Sequence, residues 1–251
     1  MIKYKTIKNC GRLVVVQYPK ENDDGTKVSR VFLDKLICGI ITHSADYFDK
    51  YLKDTKDHDH IFGYRERQLH SVVCQSIADL TPSFVMEHPV YRKPHGKGKY
   101  SGHVDYWINY KHYFFIMELK HRYFAYKRAY SSAISKKFNV ALKQLNSVRK
   151  DECQDLSINK GLIKIALQAV VFYYGYRDDK VEDDIKERDF QKDFKQLFTN
   201  SPDLNNKEKV NFRSLWLLNE RLIKPISYDN RFEIYPAVAF IGNVDTRLTK
   251  Q

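Results

Sequence analysis

The sequence lacks the short motifs that build the commonest nucleotide and hydrolase sites. Its 251 residues contain no Walker A loop, no GxSxG elbow and no GxGxxG segment. Each motif places backbone amides or a nucleophile in a fixed geometry, so its absence removes support for the corresponding enzyme class. An NTPase, an α/β-hydrolase and a dinucleotide-dependent enzyme therefore have no support here.

Cysteines are few and far apart, at positions 10, 38, 74 and 153. None belongs to a CxxC pair or a Cys/His cluster, so we expect no structural zinc site. Scattered single cysteines are typical of a reducing compartment. The first residues lack the apolar core of a signal peptide, and no apolar run approaches the roughly 20 residues that cross a bilayer. We therefore expect a cytoplasmic protein without a membrane partner.

Basic residues, by contrast, are abundant. Lys and Arg number 43 against 31 Asp and Glu, a formal net charge of +12. Residues 91–130 hold nine basic residues and two acids, which gives +7 for this part alone. Such a balance favours a polyanionic partner, with nucleic acid first. The acidic run 178–193 leaves room for a partner protein as well, and a homodimer stays open.

Hydrophobic spacing predicts a chain of mixed helices and strands. Predicted helices cover 44–54, 62–80, 132–150 and 185–198, and predicted strands cover 13–18, 84–91, 162–174, 214–218 and 232–241. The run Val31–Thr42 fits either a strand or a short helix. Pro236 indicates a kink or an edge position for the last strand.

The stretch Gly102–Arg122 contains charges inside two apolar, aromatic-rich runs. If Lys111 and His112 form a two-residue turn, Asp105 lies directly opposite Glu118 on the paired strand. Lys120 is two residues further along, so it shares a face with Glu118. The sequence therefore predicts a hairpin with two carboxylates and a lysine together.

Two opposed carboxylates repel each other, and a divalent cation removes the conflict. Mg²⁺ typically binds one or two protein carboxylates and completes its shell with water and phosphate oxygens. Lys120 beside the attacking water would orient it or stabilise charge on the phosphate. The alternative is a cross-strand ion pair between Asp105 and Lys120 on a half-exposed hairpin, with Glu118 solvated.

Asp105 on one strand and Glu118-Leu119-Lys120 on the next resemble the D…(D/E)xK motif of the PD-(D/E)XK nuclease superfamily. The order helix, strand, strand, strand, helix, strand over residues 62–174 is also similar to the core of that superfamily. The resemblance implies a restriction-endonuclease-like α/β core, with a mixed central sheet flanked by helices. It further implies a metal-dependent nuclease, with Asp105 and Glu118 as ligands of Mg²⁺ or Mn²⁺ and Lys120 at the nucleophile.

Two further site residues follow from the same resemblance. Many members carry an additional acid on the first core helix, and Glu66 is the candidate here. Some members carry QxxxY on the later helix, where this chain has Gln144 followed by Val148. The proline of the motif's name is replaced by Val104. These departures leave the subgroup and the substrate open.

Basic residues around the hairpin are the candidate contacts to nucleic acid. The loop 92–102 combines lysines with glycines, which allows sequence-independent contact with phosphates. Cations mixed with tyrosines just after the hairpin suit contact with unpaired bases. The full candidate set is Arg92, Lys93, Lys97, Lys99, His103, Arg122, Lys127 and Arg128. The cluster His58-Asp59-His60 is instead expected to lie in an exposed loop.

Together these features predict a Mg²⁺-dependent nuclease with a core at 62–174, an N-terminal extension at 1–61 and C-terminal additions at 175–251. DNA is favoured over RNA as the substrate, and the role would lie in defence, mobile-element processing or repair. Two alternatives stay open. One is a non-catalytic nucleic-acid-binding or assembly module with a degenerate nuclease fold, and the other is a nuclease that needs a partner.

Overall fold

The computed structural model describes most of the chain. The described residues are 3–20, 23–92, 100–125, 132–148, 161–176, 204, 206, 209–228 and 231–249. The predicted helix 185–198 and the acidic run 178–193 lie outside them. Among the described helices, none is long and apolar enough to cross a membrane.

A nine-stranded mixed sheet dominates the described part of the chain. Its strands are β1 Lys3–Ile7, β2 Gly11–Gln17, β3 Phe84–Arg92, β4 Tyr100–Tyr110, β5 Tyr113–Ala125, β6 Gly161–Tyr176, β7 Phe212–Leu218, β8 Ile226–Tyr228 and β9 Arg231–Thr249. The spatial order is β1-β2-β7-β9-β6-β5-β4-β3, with β8 beside β9. Strands β5 and β6 are parallel, and the other paired neighbours are antiparallel. Strands from all three predicted parts of the chain thus share one sheet.

Helices cover both faces of this sheet. They are α1 Asp24–Thr55, α2 Glu66–Ala78 and α3 Ser132–Ser147. Helices α1 and α2 pack on one face, in a core with Met117 and Leu119, and α3 packs on the other, in a core with Ile116. From α2 to β6 the elements follow the predicted order of helix, three strands, helix and strand. The α/β class is therefore confirmed, whereas membership in the restriction-endonuclease-like core stays a prediction.

Helix α1 is longer than the sequence indicated, because it joins the ambiguous run Val31–Thr42 to the predicted helix 44–54. The side chain of Asp23 caps its first turn by accepting a hydrogen bond from Thr26 N at 2.6 Å. Its buried residues recur every three or four positions, as in a helix with one apolar face. The helix is capped after Thr55 by Lys56, which adopts a left-handed conformation with φ of 63°.

Strand β9 lies between β6 and β7, so Pro236 is not at an edge. Pairing with β6 shifts there, since Phe172 is opposite Ala237 while Tyr174 is opposite Ile234. The extra residue on β9 is a bulge, which is where a central strand tolerates proline. The predicted edge position is therefore wrong, and the predicted kink stays a prediction beside this bulge.

The predicted hairpin is formed by β4 and β5. Lys111 and His112 have φ of 49° and 65°, as a two-residue type I′ turn requires. Tyr110 pairs with Tyr113, and the ladder continues in the predicted register to the pair Tyr106 and Met117. It ends there, one step before Asp105 and Glu118. The turn and the register are confirmed, but Asp105 and Glu118 are not a ladder pair.

Candidate active site

At Asp105, the alternate side chains of β4 switch from one face of the sheet to the other. Val104 packs in the core beneath α3, whereas Tyr106, two residues on, packs in the core beneath α1 and α2. Alternate residues of a regular strand share a face, so β4 is irregular at Asp105, which is also missing from the ladder with β3. The Asp105 carboxylate accepts a hydrogen bond from Leu119 N at 2.7 Å. The side chain therefore replaces a backbone partner at the point where the two strands separate.

Three carboxylates converge on the ammonium of Lys120. Lys120 Nζ lies 3.4 Å from Asp105 Oδ2, 3.5 Å from Glu118 Oε2 and 3.5 Å from Glu66 Oε1. It also donates to Leu119 O at 2.8 Å. Burial lowers the pKa of Lys120, but the three negative charges raise it by more, so the net shift of the pKa is upward. The structure thus brings together four residues selected from the sequence, and the lysine stays charged.

Glu66 reaches this cluster from the first turn of α2. Its carboxylate accepts from His121 N at 3.2 Å and lies 3.7 Å from Lys137 Nζ on α3. An acid is favourable at a helix N-terminus, where unpaired amides carry partial positive charge. The side chain of Glu66 is 27% exposed and that of Asp105 is 17% exposed. The cluster therefore opens to solvent on the side of these two residues.

Glu118 is the buried member of the cluster, with only 1% of its side chain exposed. Burial, and then the charge of Asp105, raise its pKa to about 7, against the opposing effects of Lys120 and Arg92. Another positive charge beside Glu118 would favour its ionised form. The ion pair of Asp105 with Lys120 expected by the alternative interpretation is present, but the solvated Glu118 of that interpretation is wrong.

Arg92 contacts one oxygen of the Glu118 carboxylate, and Lys120 lies near the other. The Arg92 guanidinium donates to Glu118 Oε1 at 3.1 Å, to Ser147 Oγ at 3.0 Å, and to the carbonyl oxygens of His103 and Gln144. Only 7% of the Arg92 side chain is exposed. The phosphate contact predicted for Arg92 is therefore corrected: the guanidinium is committed to a buried carboxylate and to backbone acceptors.

The other predicted contacts to nucleic acid have mixed outcomes. His103 and Arg122 are exposed, as a surface contact requires, and their role stays a prediction. The remaining predicted contacts, Lys93, Lys97, Lys99, Lys127 and Arg128, lie outside the described residues. Gln144 is half-buried on α3, and its Oε1 is buried without a hydrogen-bond partner in the described part of the chain.

The cluster His58-Asp59-His60 is structural, and its predicted exposure is wrong for Asp59 and His60, which are both buried. Asp59 accepts hydrogen bonds from the hydroxyls of Tyr47 at 2.8 Å and Tyr64 at 2.5 Å. The His60 ring bonds to the carbonyl oxygen of Leu222, and burial lowers its pKa to about 4. These contacts tie the segment after α1 to the core.

Sequence reasoning missed the structural role of three residues near the site. Arg92 was assigned to the surface, and no pattern in one sequence marks it as the partner of Glu118. His70, one turn after Glu66 on α2, bonds to the Tyr106 hydroxyl at 2.6 Å. Gln168 is a fully buried amide in β6. Its signal was visible, because Gln168 and Lys164 are the two polar side chains in the otherwise apolar run 162–172.

No family model, curated protein sequence or solved structure matches the chain. The site is therefore interpreted from its own geometry. Within the described ranges, no three His, Cys, Asp or Glu side chains are grouped closely enough to hold a metal ion. The carboxylates surround an ammonium instead. Their oxygen atoms are the ligand type that Mg²⁺ and Mn²⁺ take in proteins. The donor type suits a divalent cation, but one could bind here only after both Lys120 and the carboxylates rearranged.

Proposed function

We propose that the chain is a metal-dependent nuclease that hydrolyses phosphodiester bonds, with DNA favoured over RNA. The observation that carries the proposal is the convergence of Glu66, Asp105 and Glu118 on Lys120 Nζ within 3.5 Å. A group of acids around one lysine, open to solvent on one side, suits a phosphate that must meet both cation and ammonium. The order of elements from α2 to β6 supports a restriction-endonuclease-like core around it.

Each side chain of the cluster has a role in this proposal. Asp105, Glu118 and Glu66 would hold Mg²⁺ or Mn²⁺ through carboxylate oxygens. When bound, such a cation polarises a phosphoryl oxygen and lowers the pKa of water. Lys120 keeps its positive charge, orients the water and stabilises negative charge on the phosphate. Arg92 would hold the Glu118 carboxylate in place, because its own guanidinium is fixed by hydrogen bonds to backbone carbonyl oxygens.

The proposal is tested by incubating the full chain with closed-circular plasmid, single-stranded DNA and RNA, in EDTA, Mg²⁺ or Mn²⁺. Closed-circular plasmid has no ends, so its relaxation reports endonuclease activity. We expect cleavage only with a divalent cation, and a loss of about 100-fold or more in Asp105→Asn and Lys120→Met, as for other groups that stabilise transition-state charge. Asp54→Asn and Lys50→Met, at exposed positions of α1, are the matched controls. Cleavage that survives both site variants would contradict the assignment.

A non-catalytic nucleic-acid-binding or assembly module is the second candidate. It is favoured by one observation, that the ammonium of Lys120 already neutralises charge in the cluster, as in a purely structural ion-pair network. This candidate predicts nucleic-acid binding with no cleavage under any metal. It also predicts equal binding with and without Mg²⁺. A nuclease that needs a partner would cleave only in the complex, and its metal affinity would be measurable on the free chain.

A further inference from the structure

Gln168 lies beside Lys120 in the sheet. Strands β5 and β6 are parallel, and their register places Lys120 opposite Gln168. On its other side Gln168 is opposite Ile241 of β9. Ile241 packs in the core beneath α3, as do Ala166 and Val170, two residues to either side of Gln168. The Gln168 side chain therefore shares the α3 face of the sheet with Lys120.

The amide of Gln168 is an exception in this core. The residue is 0% exposed, and in the described part of the chain neither Oε1 nor Nε2 has a hydrogen-bond partner. Buried side-chain amides are nearly always paired, because leaving one unpaired keeps the full cost of removing it from water. An apolar side chain of similar volume would avoid that cost. An unpaired amide next to a candidate active site therefore needs an explanation.

Most contacts of the Lys120 ammonium on this face are long. Its one close hydrogen bond goes to Leu119 O at 2.8 Å, while its contacts with Asp105 and Glu118 are longer, at 3.4 and 3.5 Å. Neighbouring strands lie about 4.8 Å apart. A lysine side chain has four rotatable bonds, so a change of rotamer carries its ammonium across that spacing to the next strand.

We propose that Gln168 is a positioning residue, whose Oε1 accepts the Lys120 ammonium when a divalent cation takes the carboxylates. This inference rests on the proposed function. An ammonium and a divalent cation repel each other at the distances found in this cluster, so Lys120 must leave Asp105 and Glu118. Gln168 gives it a neutral acceptor on the adjacent strand. The lysine then stays beside the site, because its new partner is buried and fixed by the sheet.

The first test is made without metal. Gln168→Met replaces the amide with an unbranched apolar chain of similar length, and Gln168→Leu, made in parallel, carries the same prediction. In EDTA we expect the melting temperature of both variants to equal or exceed that of the wild type, because an unpaired polar group is removed. Lys164→Met is the control on the same strand and face. Lys164 Nζ donates to Leu145 O and Val148 O, so its loss should lower the melting temperature.

The second test measures Mn²⁺ affinity by titration calorimetry. We expect Gln168→Met to weaken Mn²⁺ binding about tenfold, because the ammonium without its alternative partner competes with the cation. In a Lys120→Met background the same substitution should leave Mn²⁺ affinity unchanged, since there is no ammonium to move. With DNA as the substrate, the single variant Gln168→Met should have a kcat at least tenfold below that of the wild type and an unchanged KM.

The outcomes separate this inference from the proposed function. A wild type that neither binds Mn²⁺ nor cleaves nucleic acid overturns both. A wild type that does both, with a Gln168→Met variant equal to it in Mn²⁺ affinity and kcat, overturns the role of Gln168 alone. A melting temperature lowered in EDTA as far as in Lys164→Met would also overturn it, because Gln168 would then be a structural residue.

Discussion

Arg92 gives the sharpest prediction on the architecture of the site. Substitution of Arg92 by Met removes the guanidinium but keeps an unbranched chain of similar path through the core. Glu118 then loses its contact at 3.1 Å, and the carbonyl oxygens of His103 and Gln144 lose a donor. Glu118 would keep Lys120 as its cation, and its pKa should rise further above about 7.

The size of the effect follows from the burial of the pair. Arg92 and Glu118 are 7% and 1% exposed, and removing one partner of a buried ion pair typically costs about 3–5 kcal/mol. That is a large part of the roughly 5–15 kcal/mol of stability that a domain has. Adding Glu118→Gln removes the buried negative charge that Arg92 had partly offset. The double variant should therefore regain about 1–3 kcal/mol relative to the sum of the two single variants.

Urea unfolding followed by tryptophan fluorescence measures these differences. Arg122→Met is the matched control, because Arg122 is exposed on β5, and its free energy of unfolding should change by less than about 0.5 kcal/mol. A loss of less than about 1 kcal/mol in Arg92→Met would refute the reasoning. So would a double variant whose loss equals the sum of the two single losses, because Arg92 and Glu118 would then be independent.

Other substitutions test the surroundings of the site. Gly102→Ala places a Cβ 2.5 Å from Arg92 Nε, so it should cost about 1–3 kcal/mol in urea unfolding, and an unchanged midpoint would contradict the packing. Lys111→Asn combined with His112→Gly should raise the free energy of unfolding by about 1 kcal/mol, because both positions have positive φ; a destabilised hairpin would contradict the turn. Burial lowers the pKa of His60 from 6.5 to about 4, so the unfolded chain takes up the proton first and stability falls as pH drops from 6.5 to 4. Between pH 6.5 and 4, the free energy of unfolding of His60→Asn should fall by about 3 kcal/mol less than that of the wild type. Equal losses in the two proteins would contradict a buried, neutral His60 ring.

The hairpin could be predicted because its evidence is local. Two apolar, aromatic-rich runs separated by two polar residues specify both the turn and the register, even without an Asn-Gly pair. Glu66 was selected because the family resemblance implies an additional acid on the first core helix. The convergence of Glu66, Asp105 and Glu118 on Lys120 was therefore within reach of sequence reasoning.

Other features depend on contacts between distant parts of the chain. Strand β2 pairs with β7, about 200 residues later, and no local pattern carries that pairing. The ion pair of Arg92 with Glu118 needs a glycine at position 102 on the neighbouring strand β4, because a Cβ there would lie 2.5 Å from Arg92 Nε. The run Val31–Thr42 was ambiguous because its branched residues suit a strand and its spacing suits a helix. Tertiary packing of α1 decided between them.

The most direct test of the proposed site is a crystal structure of the full chain with Mn²⁺, analysed by anomalous scattering. The nuclease proposal predicts an anomalous peak in contact with Asp105 and Glu118, with Lys120 Nζ displaced from both carboxylates. The absence of a peak at saturating Mn²⁺, with the ammonium still between Glu66, Asp105 and Glu118, would contradict the claim that this cluster is a divalent-cation site.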